Sequence, residues 1–321
     1  MSVSTAPTQA PPPAPPRKRK IRDGRDRGIS WPAITLLLPV VAVLGVFVGY
    51  PLARMLIFSV QDFSRQNNLF SGKAPNWVGF DQYQKVLTDG EFWSLMGRSF
   101  ALMIVLVTLT MTLGMLIALL MNRLGKWMKL LVSVGLLLAW AMPALTSTVL
   151  FQWMFDTSYG VVNYVLTQIG LDFDRYAWLS QPFTFFMVVV FLVTWQSVPF
   201  VAFTLFAGLT QVPGEVLEAA ELDGAGPVQR FRQVIVPFIK PVIAVVLMLQ
   251  VIWDLRLFTQ VYALRQSSAA ANTDVIGTYI YRYGVAQGNY SEASAIAVIF
   301  AVIMLGLAFF YIRSLLRNED V

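Results

Sequence analysis

The stretch EAAELDGAGPVQRFRQVIVPFIKP, from Glu218 to Pro241, is polar and lies between two long apolar runs. Its reading decides the fold. Helix formers run from Glu215 to Leu222, Gly224 and Gly226 end that run, and Pro227 is placed to open a second short helix. A helix, a turn and a helix between two apolar segments sits at a membrane surface, where it meets water, headgroups or another protein. Taken without its surroundings, a run of acidic residues before a glycine turn also fits an ordinary amphipathic loop.

Working outward, 56 % of the chain is hydrophobic and 13 % is charged. The mean hydropathy is +0.61. Soluble domains run at about 25 % charged residues, so this composition is that of a multi-span membrane protein. The chain has no cysteine and no histidine, which removes disulfides, thiolate chemistry, the commonest general base and the commonest metal ligand. A membrane-embedded enzyme is therefore a poor reading. No G-x-x-x-x-G-K-[ST] occurs, so no P-loop holds ATP in this chain.

Crossing the hydrocarbon takes roughly 20 apolar residues. The sequence predicts six spans, at about Ala33 to Ser59, Arg98 to Met121, Leu130 to Phe155, Phe183 to Leu209, Pro241 to Leu264 and Ala293 to Leu315. Placing both termini in the cytoplasm puts Arg17, Lys18, Arg19, Lys20, Arg22, Arg25 and Arg27 inside, followed by Arg123, Lys126, Lys129, Arg230, Arg232, Lys240, Arg313 and Arg317. Arg54, Arg65, Lys73, Lys85, Arg98, Arg175, Arg265 and Arg282 then lie outside. The excess inside satisfies the positive-inside rule and sets the Glu218 hairpin in the cytoplasm. Residues 1–30 read as a disordered Pro-rich tail followed by a basic run, residues 31–316 as the six-span domain with its hairpin at about 213–240, and residues 317–321 as a cytoplasmic tail. The basic run has the composition of a nucleic-acid arm, but its place before a span favours contact with anionic membrane lipid and no nucleic acid.

Within the spans, polar residues are the functional candidates. Pro143 with Thr146, Ser147 and Thr148 predicts a kinked third span whose freed carbonyl needs a donor. Gln196 is costly in hydrocarbon unless it is paired or faces water, so it lines a pathway or bonds between helices. In the fifth span, at about 100° per residue, Trp253, Arg256 and Gln260 fall on one stripe and Asp254 points away from Arg256. The expectation is that Trp253, Arg256, Gln260 and Tyr262 face a polar pathway while Asp254 pairs across to another helix or subunit. Aromatic rings among hydrogen-bonding neighbours suit a sugar; an ion pair with no substrate contact is the competing reading. Ile276, Tyr279, Ile280 and Tyr283 at helical spacing predict an amphipathic helix lying at the outer surface.

The order EAA, then Gly224 after three further residues, then Val234, Val236 and Pro237, resembles the EAA signature of membrane subunits of binding-protein-dependent ABC importers. Two weaker stretches, Trp77 to Tyr83 (WVGFDQY) and Phe258 to Leu264 (FTQVYAL), are similar to segments of the carbohydrate-uptake, maltose/trehalose-type permeases, with Thr259 in place of that family's aspartate. The resemblance implies an all-α integral membrane protein with six transmembrane helices in the MetI-like fold of ABC-importer permeases, both termini cytoplasmic. It implies coupling roles for Glu218, Ala219, Ala220, Asp223, Gly224 and Pro237 in a helix docked on an ATP-hydrolysing subunit. It also implies a second permease subunit in a heterodimer, two ATP-binding subunits carrying ATP and Mg, an extracytoplasmic solute-binding protein and a sugar cargo, with no cofactor in this chain. An ion-coupled secondary transporter or channel acting alone is the alternative; the internal repeats and paired broken spans typical of such proteins are not visible in the sequence.

Overall fold

The computed structural model describes residues 31–266 and 272–317. The Pro-rich tail, its basic run, the Ser267-Ser268 segment and the last four residues lie outside the described residues. The chain forms two units, 1–51 and 52–321. In the first, α1 (Trp31–Leu44) passes through a π-helical stretch, Gly45–Gly49, into the start of α2 (Tyr50–Ser59), and its described side chains are exposed.

The second unit continues from α2 into a small antiparallel pair, β1 (Gln61–Asp62) with β2 (Asn76–Trp77), in which Gln61 faces Trp77. This is a minor exception to an otherwise helical chain. Then come α3 (Asp81–Thr88), α4 (Gly90–Arg123), α5 (Lys126–Ala141), α6 (Ala144–Met154), α7 (Val161–Gln168) and α8 (Pro182–Leu209). The hairpin is α9 (Gly214–Leu222) and α10 (Pro227–Arg230), followed by a π-helical turn into α11 (Val236–Leu255). Last are α12 (Thr259–Gln266), α13 (Ile276–Tyr281) and α14 (Tyr290–Arg317).

Among the described residues five helical stretches are long and apolar enough to cross a membrane, at Thr35–Ser59, Gly90–Arg123, Pro182–Leu209, Pro227–Gln266 and Tyr290–Arg313, and α5 with α6 makes a sixth if that bent pair is one span. The predicted kink in span three is a sharp break: α5 and α6 meet at 99°. Pro143 supplies no N–H and holds Met142 extended, at ψ 124°, so the helix cannot run through.

The fifth span also differs from expectation. Helix α11 ends at Leu255, the chain turns through Arg256 to Phe258, and α12 restarts at Thr259. The spacing of 100° per residue holds only along an unbroken helix, so it does not carry the stripe of Trp253 and Arg256 on to Gln260. Gly277 of α13 lies against this break, where a Cβ would meet the Leu257 carbonyl at 3.2 Å.

Helix α4 packs along α8, and α11 packs against both. Gly114 makes the close approach of α4 to α8 possible, since a Cβ there would stand 2.5 Å from Val201 Cγ1. Leu106 of α4 and Val188 and Leu192 of α8 are fully enclosed in one apolar cluster, and Ala118, Val201, Leu205 and Ile239 form another nearer the hairpin. The α13 segment is not the surface helix the spacing predicts. Ile276 and Tyr279 are fully buried with Phe92 and Ile296, because α4 and α14 supply apolar faces against which an amphipathic turn packs.

Candidate functional site

Two sets of residues stand apart from the packed core, one in the hairpin and one where α8 meets the broken α11–α12 segment.

In the hairpin, Asp223 caps α9 and Gly224 adopts φ +81°, the left-handed region that a side chain would strain. The Ala225 N–H donates to the Ala220 carbonyl (2.9 Å) and the Gly224 N–H to that of Glu221 (3.0 Å), which satisfies carbonyls the helix end would otherwise leave open. Gly226 then caps α10, with Pro227 in its first turn. Arg230 reaches back to Glu221 at 2.6 Å and ties the two arms. The hairpin is thus a fixed shape. Among the described residues no side chain of α9 is buried, and Leu222 is 89 % exposed with Val228 at 69 %. Glu218, Ala219 and Gly224 share that exposed surface, Ala220 is half-buried, and Pro237 lies in the first turn of α11.

At the second place, the break at Pro143 leaves the Met142 carbonyl without a helical donor. Gln196 Nε2 donates to that carbonyl (3.4 Å) and to Ser147 Oγ (3.2 Å), while Gln196 Oε1 accepts from Gln260 Nε2 at 3.0 Å. Gln196 and Gln260 therefore bond between helices, joining α8, the α5–α6 break and α12. Trp253 is 44 % exposed and meets Phe200 edge-on, ring centroids 5.0 Å apart. Arg256 closes α11 with its side chain exposed. Tyr262 stacks on Phe258 at 5.1 Å and meets Tyr281 edge-on at 5.0 Å, so an aromatic cluster stands beyond the break.

Among the described residues Asp254 forms no ion pair with another helix. It is 5 % exposed, and among the described residues its Oδ2 has no hydrogen-bond partner. Gln250, one turn earlier on α11, is fully buried, and among the described residues neither of its amide atoms has a hydrogen-bond partner, nor do Thr110 Oγ1 of α4 and Thr194 Oγ1 of α8. Sequence reasoning passed over Gln250 and Phe200. The rule that flagged Gln196 applies equally to Gln250, whereas nothing in the sequence marks Phe200 as the partner of Trp253.

Beyond α12 lies an ion-pair network that sequence reading did not assemble. Asp274 pairs with Arg265 and with Arg282 (3.3 Å), and Arg282 also holds Glu91 at 2.7 Å. Burial, and then the Tyr283 hydroxyl, push the Tyr279 phenol above its ordinary range, so it stays protonated and donates to Asp89 (3.4 Å). Among the described residues no group of three or more carboxylates, histidines or cysteines is placed to hold a metal ion.

Residues 110–318 match the family model described as binding-protein-dependent transport system inner membrane component. The chain is 37 % identical to the diacetylchitobiose uptake system permease protein DasB of Streptomyces coelicolor, over 98 % of this chain and 99 % of that protein. It is 30 % identical to the sulfoquinovosyl glycerol transport system permease protein SmoG of Agrobacterium fabrum, over 92 % and 93 %. In structure it is similar to a chain of a bacterial ABC transporter involved in the import of the acidic polysaccharide alginate, with a TM-score of 0.76 and 26 % identity over 89 % of this chain and 96 % of that one.

Proposed function

Because this chain belongs to the family of binding-protein-dependent transport system inner membrane components, a family of multi-pass ABC-transporter permeases, we propose that it forms part of the pathway of an ATP-driven importer for a sugar or oligosaccharide. The observation that carries the coupling half of this reading is the exposure of Leu222 and Val228 on a hairpin otherwise made rigid by its own caps and ion pair. Large apolar side chains held outward on a fixed polar helix favour a protein partner over water. In this reading the partner is an ATPase subunit, which carries ATP and Mg and hydrolyses the nucleotide; this chain supplies Glu218, Ala219, Ala220, Asp223, Gly224 and Pro237 to the joint. Closure of the ATPases moves α9, and the attached α8 and α11 switch the pathway between outward and inward access.

For the cargo, Gln196, Trp253, Asp254, Arg256, Gln260 and Tyr262 form this chain's share of the pathway. The exposed ring of Trp253 offers an apolar face to a pyranose, and the amides and guanidinium offer hydrogen bonds to its hydroxyls. The cargoes in the names of the relatives above support a carbohydrate. A second, different permease subunit completes the lining, and an extracytoplasmic solute-binding protein delivers the cargo. Both termini lie in the cytoplasm, with the six-span domain at 31–316.

The test is purification followed by uptake. An ATPase and a second permease are expected to co-elute with the chain, and Glu218→Lys is expected to abolish uptake while the protein still inserts in the membrane. Uptake that persists in cells lacking the ATPase would instead identify a transporter working alone.

A further inference from the structure

An apolar groove between α4 and α8 plays no part in the pathway or the hairpin. It encloses about 420 Å³ and is lined by Ala101, Val105, Phe183, Met187 and Phe191 among others, with Arg98 the single charged residue of its lining. Leu102 and Leu106 share a cluster with Phe185 to Val193, and Gly114 meets Val201, so the two helices run in the same direction. Since α8 leads into the hairpin, Arg98 lies at the opposite end of α4. From Arg98 to Val105 is seven residues, or about 10 Å of groove at the helical rise. That length fits within one leaflet, about 15 Å of a 30 Å hydrocarbon core.

Among the described residues Arg98 forms no ion pair; the Glu91 carboxylate, two turns earlier on α4, acts on its charge only from a distance. Its Nη1 donates to the main-chain carbonyl of Asp274 at 3.1 Å. Among the described residues no carboxylate is within ion-pair distance of it: Glu91, on the same face of α4, is held by Arg282, and the Asp274 carboxylate is held by Arg265 and Arg282. A half-buried guanidinium at the edge of hydrocarbon is costly unless an anion meets it. An apolar helix laid in the groove would cover the rings and leave that charge unmatched. We propose that the groove holds an acyl chain of a membrane phospholipid, in the leaflet opposite the hairpin, with its phosphate bound by Arg98. The planar fork of the guanidinium suits two phosphate oxygens at once, and the tail replaces lipid contacts along Ala101, Val105, Met187 and Phe191.

The full chain, purified from membranes in mild detergent with the subunits that accompany it, tests this by native mass spectrometry. The wild type is expected to retain one phospholipid per copy. After delipidation it is expected to rebind phosphatidylglycerol to the same stoichiometry, and to bind diacylglycerol, which has the tails without the phosphate, about fivefold more weakly. Arg98→Gln is expected to weaken phosphatidylglycerol binding about fivefold, the worth of one cation near a headgroup. Ala101→Phe, which fills the groove and leaves both Arg98 and its bond to Asp274 in place, is expected to abolish retention, and it serves alone should Arg98→Gln fail to fold. Equal retention in Ala101→Phe and wild type, equal binding of diacylglycerol, or a cross-link from Ala101→Cys to a protein partner in a lipid-free groove would overturn the assignment.

Discussion

Gln196 shows how one polar side chain inside a membrane helix is made tolerable. Its amide donates to the Met142 carbonyl at the Pro143 break and accepts from Gln260, so three elements meet on one side chain. Replacing Gln196 with Leu leaves the Gln260 amide and the Met142 carbonyl without those partners, a cost of about 1–3 kcal/mol. The expected outcome is a lower unfolding midpoint in detergent, and a double substitution with Gln260→Leu that costs less than the sum of the two singles, because the second change removes a group already orphaned. Trp253→Ala removes a ring contact of about 0.5–1.5 kcal/mol beyond burial. If Trp253 also presents its face to a sugar, the KM for uptake rises while the amount of protein in the membrane stays the same. At Gly114 the constraint is steric: Gly114→Val drives a side chain into Val201 and is expected to cost about 1–3 kcal/mol, read as loss of folded protein.

The hairpin is the element whose geometry was most legible. Gly224 was placed as a helix stop, and it takes the left-handed conformation; Pro227 was placed as a helix start, and it opens α10. Both follow from backbone chemistry confined to a few residues. Gly224→Val is expected to strain the turn by about 1–2 kcal/mol, leaving insertion intact and lowering uptake. Glu221→Ala, which removes an exposed ion pair, is expected to change stability by less than about 1 kcal/mol. The end of α11 was not legible. Leu255, Leu257 and Phe258 continue the apolar run, and no Gly or Pro marks the turn. Gly277 lies against residues 257 and 258 at the break, and a contact twenty residues away leaves no local signal. The same holds for α13, whose amphipathic spacing was visible although the partners that bury it, on α4 and α14, were not. Of the pathway candidates, Gln196 was read as a lone polar residue in its span and Gln260 as part of a stripe with Trp253 and Arg256; that the two amides bond to each other depends on how α8 and α12 pack.

At the scale of the whole molecule, membrane class and the placement of the apolar helices were legible because hydropathy is summed over about 20 residues and survives local breaks. Partners are a different matter, since a lone chain shows only surfaces. The central claim is that the Glu218 to Gly224 helix is gripped by a separate ATP-driven subunit. The absence of cysteine from the sequence makes one measurement especially direct. Leu222→Cys, the sole thiol of this chain, is treated with a short bifunctional cross-linker in membranes, with and without a non-hydrolysable ATP analogue. The account predicts a cross-link to the ATPase whose yield changes with nucleotide. A Leu222→Cys thiol that forms no cross-link, and that reacts with a water-soluble maleimide at the same rate whether or not the ATPase is expressed, would contradict it.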